Sequence, residues 1–137
     1  MPRREAAAHS VRVKRVYEPA SRSDGARILV DRLWPRGVKK QDLAFDEWAK
    51  DVAPTPALRT WYGHRPERFE EFRRRYREEL DSGDAHEAFD ELRELAGSGT
   101  VTLLTATRDV ERSGAAVLEE ALLTPKGRSR RGRGRER

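Results

Sequence analysis

Two hydrophobic periods alternate along the chain. Val11, Val13 and Val16 mark a first short strand, Arg27 to Leu33 around Ile28-Leu29-Val30 a second, and Thr100 to Thr107, with Val101, Leu103 and Leu104, a third. Between the second and third strands the period lengthens to that of helices. Thr55 is placed to cap a helix with Pro56 at its first position, and Gly63 stops it after Leu58 and Trp61. The next helix begins near Pro66 and aligns Phe69, Phe72, Tyr76 and Leu80 on one core face. A further helix follows Asp84, which with Glu87 matches a capping box, and its face of Phe89, Leu92 and Leu95 ends at Gly97. The last helix runs from about Arg112 to Leu123, and Pro125 prevents its continuation.

Strands separated by helices predict a small α/β domain with helices covering a short sheet. In a parallel arrangement the carboxyl ends of the strands share one edge, and the side chains leaving them share a crevice. The second strand would deliver Asp31, Arg32, Trp34 and Arg36 to that edge, the third Thr105, Thr107, Arg108 and Asp109, and the first Arg15 and Tyr17. The heptapeptide Asp31 to Gly37, with its Pro and Gly turn, is therefore where a ligand site is expected. No internal repeat is visible.

Composition narrows the class. The chain has 137 residues, a length for one domain rather than two. It contains no cysteine, which removes disulfides, thiol nucleophiles and thiolate metal sites and fits a reducing cytoplasm. The charged start and the absence of an apolar run near ~18 residues argue against a signal segment and a membrane span, so a cytoplasmic protein without membrane contact is expected.

The net charge of +5 suggests a nucleic-acid binder until it is divided along the chain. Residues 126–137 carry seven basic side chains and one acid, whereas residues 1–125 carry 22 basic and 23 acidic ones. The basic character therefore belongs to a Gly and Arg tail that lacks apolar residues. The expected organisation is a disordered segment at residues 1–9, one domain at 10–124 and a disordered basic tail at 125–137. The tail is either a solvated extension or a salt-sensitive attraction for phosphate backbones. The Arg73-Arg74-Arg75 run, opposite Glu70 and Glu71 at i,i+4 spacing, reads as a solvated, internally paired helix face.

The candidate ligand-binding residues are Arg15, Arg32, Trp34, Arg36, Arg59 and Ser113. Arginine forks grip carboxylate and phosphate with two hydrogen bonds, but the same fork packs on Trp34 or pairs with Asp31 for structural reasons. Trp34, between two arginines in a turn, offers an indole face to a base or aromatic ligand, while core anchoring is the plainer role for all three tryptophans. Ser113 and the amides beside it suit an anion, or Ser113 simply caps the last helix.

His64 and Asp31 are the candidate catalytic groups. His64 lies in a hinge between helices, where an imidazole is a candidate acid or base or a partner for a helix end. Asp31 is a candidate to orient either neighbouring arginine or to act as an ion-pair partner. The three histidines lack the spacing of a zinc-binding helix, and no metal or cofactor is implied.

From Val13 to about Leu123 the sequence resembles the bacterial family called domain of unknown function 488, in its short YeaO-like branch. The resemblance rests on Lys14-Arg15-Val16-Tyr17, the run Asp24 to Gly37, Trp48-Ala49-Lys50, Ala53 to Arg59, Gly63-His64, Phe72, Tyr76, Glu79 and Leu80, and Thr102-Leu103-Leu104. It implies a small Rossmann-like α/β fold in a cytoplasmic protein; joined to the elements read from the pattern, the expectation is a short, mainly parallel sheet of about three strands covered by about five helices. The resemblance supplies no settled activity. Two positions depart from the family pattern: Thr55 stands where Ser is usual, a mild change, and Ser113-Gly114-Ala115 stands where Asn-His-Ala is common; the second weakens an enzyme reading and leaves His64 as the one well-placed histidine.

Three functions remain. In the first, Arg15, Arg32, Arg36 and Arg59, with His64 and the amides near Ser113, bind a phosphorylated or carboxylated small molecule, with binding preferred over catalysis. In the second, Trp34, the arginines and the tail form a nucleic-acid-binding module whose affinity falls steeply with salt. In the third, the arginines lock the fold through buried ion pairs, and the domain is structural or binds a partner protein.

Overall fold

A computed structural model describes residues 11–124. The segments 1–9 and 125–137, expected to be disordered, lie outside the described residues. Within them, four parallel strands, β1 (Val11–Arg15), β2 (Ala26–Leu29), β3 (Glu47–Trp48) and β4 (Val101–Thr105), form one sheet in the order β1-β4-β2-β3. Four α-helices follow the punctuation of the sequence: α1 (Pro56–Tyr62), α2 (Phe69–Glu79), α3 (Gly83–Ser98) and α4 (Gly114–Leu123). The result is a small Rossmann-like α/β domain.

The sheet has one strand more than the three expected. β3 is only two residues long, too short for any alternation to announce it, and its place beside β2 is fixed by Asp46 N–H donating to Arg27 O at 2.7 Å and Ala49 N–H to Leu29 O at 2.8 Å. The helices number four rather than about five, because the stretches at Pro66–Arg68 and Val110–Arg112 are single 3-10 turns leading into α2 and α4.

Period-two alternation sends successive strand residues to opposite faces. Ile28, Val30, Val101 and Leu103 enter the larger core, with Leu58, Tyr62, Phe72, Tyr76, Leu92 and Leu118 from the four helices. Leu29, Leu104 and Val16 enter a smaller one closed by Trp34, Leu43 and Phe45 from the loop that joins β2 to β3 and by Trp48 of β3. Every residue of β4 is buried, as the centre of a parallel sheet covered on both faces requires. In the larger core Tyr62 and Phe72 stack with centroids 4.3 Å apart, and the Tyr76 hydroxyl donates to the Val52 carbonyl.

α1 begins and ends as its sequence directs. The Thr55 hydroxyl accepts from Leu58 N–H at 3.2 Å, Pro56 opens the helix, and Gly63 closes it in the left-handed region at φ 52°. The capping box expected at Asp84 and Glu87 does not form. α3 starts two residues earlier, at Gly83 behind Ser82, so Asp84 lies in the first turn, where its charge favours the positive end of the helix. Arg75 pairs with Glu71 as expected, but Arg74 pairs with Glu71 and Glu78 rather than Glu70, and Arg73 reaches across to Glu120 on α4.

Gly25 is required by its neighbours. At φ 64° it carries the chain into β2, and a Cβ there would stand 2.2 Å from the Thr100 carbonyl oxygen.

Candidate functional site

Because the strands are parallel, their carboxyl ends meet on one edge. Val16 N–H donates to Thr105 O at 2.9 Å and Val30 N–H to Leu104 O at 3.1 Å, so pairing continues one residue past β1 and β2 before the chains diverge. Asp31 stands at that divergence. Its carboxylate accepts from the Thr105 hydroxyl at 2.7 Å and from Ala106 N–H at 2.8 Å, and its own carbonyl accepts from the Trp48 indole N–H at 2.7 Å. Burial pushes the Asp31 carboxyl above the usual carboxylate range, partly offset by those two donors and by the nearby positive charge of Arg59.

Two of the edge arginines are bound to backbone. Arg15 donates from Nε to Thr107 O at 3.1 Å and from Nη2 to Ala106 O at 3.2 Å, with its guanidinium 4.8 Å from the Tyr17 ring centroid. Arg32 donates to Pro54 O and Ala53 O, both at 3.2 Å, and so ties the end of β2 to the segment that enters α1. Each fork spends two donors on carbonyl groups that no strand partners.

Trp34 faces inward. Its ring packs edge-on against Phe45 and Trp48 at 5.5 and 5.4 Å, and its N–H donates to Val38 O. Ser113 caps α4: its hydroxyl accepts from Ala116 N–H at 3.1 Å and donates to Val110 O at 2.6 Å, with the side chain buried. His64 is exposed, follows Gly63 in the left-handed region at φ 58°, and has no hydrogen-bond partner among the described residues.

Three cations at this edge differ from the rest. Arg36, Arg59 and Arg108 are exposed, and none makes an ion pair among the described residues. The edge is continuous through its contacts: the Tyr17 hydroxyl reaches the Arg36 carbonyl at 3.5 Å, Arg15 lies over Tyr17 and binds Ala106 and Thr107, and Arg108 follows directly. Arg59 acts on Asp31 from α1. The structure thus gathers Arg15, Asp31, Arg36 and Arg59 around one edge, with Trp34 and Ser113 turned to packing and capping.

The sequence also left one supporting contact unread. Glu79 accepts from Thr55 N–H at 2.9 Å and from the Thr55 hydroxyl at 2.7 Å, so α2 holds the cap of α1 in place. A separation of 24 residues, between a helix end and a loop, gives such a pair no periodic signal.

Residues 10–136 match the family model DUF488-N3i, described as the inactive DUF488-N3 subclade. The chain belongs to that family. It is 54% identical over 112 residues to uncharacterized protein Rv3073c of Mycobacterium tuberculosis strain H37Rv, an alignment covering 82% of this chain and 92% of the relative. It is 41% identical over 113 residues to uncharacterized protein YeaO of Escherichia coli K12, covering 82% of this chain and 96% of that protein. No solved structure matches the chain. Among the described residues no helix is long and apolar enough to cross a membrane, and no group of three or more His, Asp or Glu side chains is placed to hold a metal ion.

Proposed function

We propose that this protein is a non-catalytic binding domain for a small phosphorylated or carboxylated molecule, held at the carboxyl edge of the sheet by Arg36, Arg59 and Arg108. The reading is carried by the contrast among the arginines. Those of α2 are neutralised by glutamates of the same or the facing helix, whereas these three are exposed and make no ion pair among the described residues, Arg59 acting on the Asp31 carboxylate only from beyond contact distance. A guanidinium that no protein acid neutralises keeps its fork for an external anion.

Binding is preferred to chemistry on two grounds. Acid–base catalysis needs a group oriented by a second one, and His64 has no such partner among the described residues while both oxygens of Asp31 already accept hydrogen bonds. The description of the matched subclade as inactive agrees with that reading. Asp31 then acts as a positioning group that fixes Thr105 and Ala106, and hence the loop carrying Arg108.

Amide chemical shifts during titration with inorganic phosphate at low ionic strength test the proposal. Saturable shifts are expected near Arg36, Arg59 and Ala106–Asp109, and Arg59→Ala should weaken them about tenfold, the worth of one charge-assisted contact. The titration is repeated with residues 126–137 deleted. Absence of a saturable response, or its disappearance with the tail, overturns the proposal; the second outcome would favour the nucleic-acid reading.

A further inference from the structure

Leu95 was expected to complete the buried face of α3, yet it is 36% exposed. It borders a groove of about 230 Å³ between α3 and the outer side of β3, which Glu47, Lys50, Asp51, Glu91 and Leu92 also line. Two features mark this groove. Among the described residues β3 pairs only with β2, so its other side is an open strand edge. The groove is also acidic: among the described residues Glu47, Asp51 and Glu91 form no ion pair, and the Lys50 ammonium lies 4.5 Å from the Trp48 ring centroid rather than on any of them.

The chain contains a segment of opposite character. Residues 126–137 hold seven basic side chains and a single acid. The described chain ends beside α3, where the Thr124 carbonyl accepts from Arg93 at 2.9 Å. Leu92 and Arg93 are neighbours on that helix, and a helix with its side chains is only about 10–12 Å across. Twelve extended residues span about 40 Å, so the segment reaches the groove with length to spare. It lacks apolar side chains, but arginine stems cover apolar surface such as Leu95 while their heads stay with the carboxylates. Its backbone can also bond to the free edge of β3, in the manner of an added strand.

We propose that residues 126–137 dock in the groove between β3 and α3 of their own chain, with their arginines on Glu47, Asp51 and Glu91. This inference does not rest on the anion site. Docking sets the basic segment against protein carboxylates, so its attraction for phosphate polymers becomes a property of the undocked form.

The absence of native cysteine allows a single spin label to be placed in the full-length chain at Ser129→Cys. Paramagnetic broadening is expected at the amides of residues 47–51 and 88–95. Glu91→Lys, a change at an exposed position, should reduce the docked population about fivefold, the upper range for one exposed ion pair. Raising the salt to about 0.5 M should reduce it further. Glu111→Lys, an exposed charge reversal elsewhere, should leave the broadening intact. Mixing spin-labelled chains with isotope-labelled, unmodified chains should give no broadening. Broadening spread evenly over the surface, broadening insensitive to Glu91→Lys, or broadening that appears in the mixture and so reports a second copy would each overturn the proposal.

Discussion

Asp24 and Asp31 flank β2, two residues before it and two after, and the protein treats them in opposite ways. Asp24 is 1% exposed and charged: Lys14 Nζ lies 3.1 Å from both oxygens, Arg27 pairs with it, and Ser21 N–H donates at 3.0 Å. Burial opposes that charge, but these partners outweigh it and hold the carboxyl below its usual range. Asp31 has two neutral donors and, among the described residues, no ion pair, and burial prevails. The amino end of the sheet is closed by charge; the carboxyl end keeps a carboxylate and several guanidiniums that do not cancel in pairs. An edge left electrostatically open is the natural place for a ligand.

Removing the buried acid should break the comparison most visibly. In Asp24→Ala, Arg27, itself only 6% exposed, loses its counter-charge and keeps only Ala44 O. The expected loss is about 3–5 kcal/mol in urea unfolding, the range for stranding one member of a buried pair. Arg27→Met in the same chain should restore part of it. A loss under about 1 kcal/mol would show that the amino end is not charge-locked.

Asp31→Asn should cost less, about 1–2 kcal/mol, because the side chain still fills its place and one of two neutral hydrogen bonds survives. It should also tighten phosphate binding, since a negative group near Arg59 is gone. Weaker phosphate binding in a folded Asp31→Asn chain would assign the carboxylate to ligand contact rather than to positioning.

This contrast was only half legible in the sequence. Asp31 stood out because an apolar run, Ile28-Leu29-Val30, ends at it, and the run itself marks a buried strand. Asp24 carried no such signal. Its partners are Lys14, on another strand, and Arg27, and nothing in an Asp-Gly step shows that the acid is interior; the close approach of Gly25 to Thr100 becomes visible only once β4 lies alongside. β1, β2, β4 and the caps of α1 and α4 could be read because each is encoded by neighbours in sequence. β3 and the Glu79–Thr55 contact depend on groups brought together from a distance, which a periodic pattern does not record; for Trp34 the plainer core role was open in the sequence, and its contacts with Phe45 and Trp48 decide for it.

Acid titration sharpens the comparison through its sign. A carboxyl held below its unfolded value, near 3.9 for aspartate, stabilises the fold above that pH, and its contribution is lost as pH falls through the folded value. Asp24 belongs to this class. A carboxyl raised above that value favours the fold below about pH 3.9, and its contribution is lost as pH rises through the folded value. Asp31 belongs to this second class. Carboxyl carbon titrations should place the two midpoints on opposite sides of 3.9, and Asp31→Asn should remove the loss of stability on the rising side. Midpoints on the same side would dissolve the distinction.

The smallest effect on stability belongs to Arg36→Ala. Its guanidinium is exposed and makes no hydrogen bond, ion pair or ring contact with the described residues, so truncation should change the unfolding free energy by less than about 0.5 kcal/mol. An arginine kept for a ligand should nevertheless cost about tenfold in phosphate affinity when removed. Stability and binding therefore separate at Arg36 and merge at Arg32, whose fork holds Ala53 and Pro54 and whose loss should cost both. Were Arg36→Ala to unfold the protein by more than about 2 kcal/mol, the arginine would be a structural lock and the carboxyl edge would be closed after all, like the amino end around Asp24.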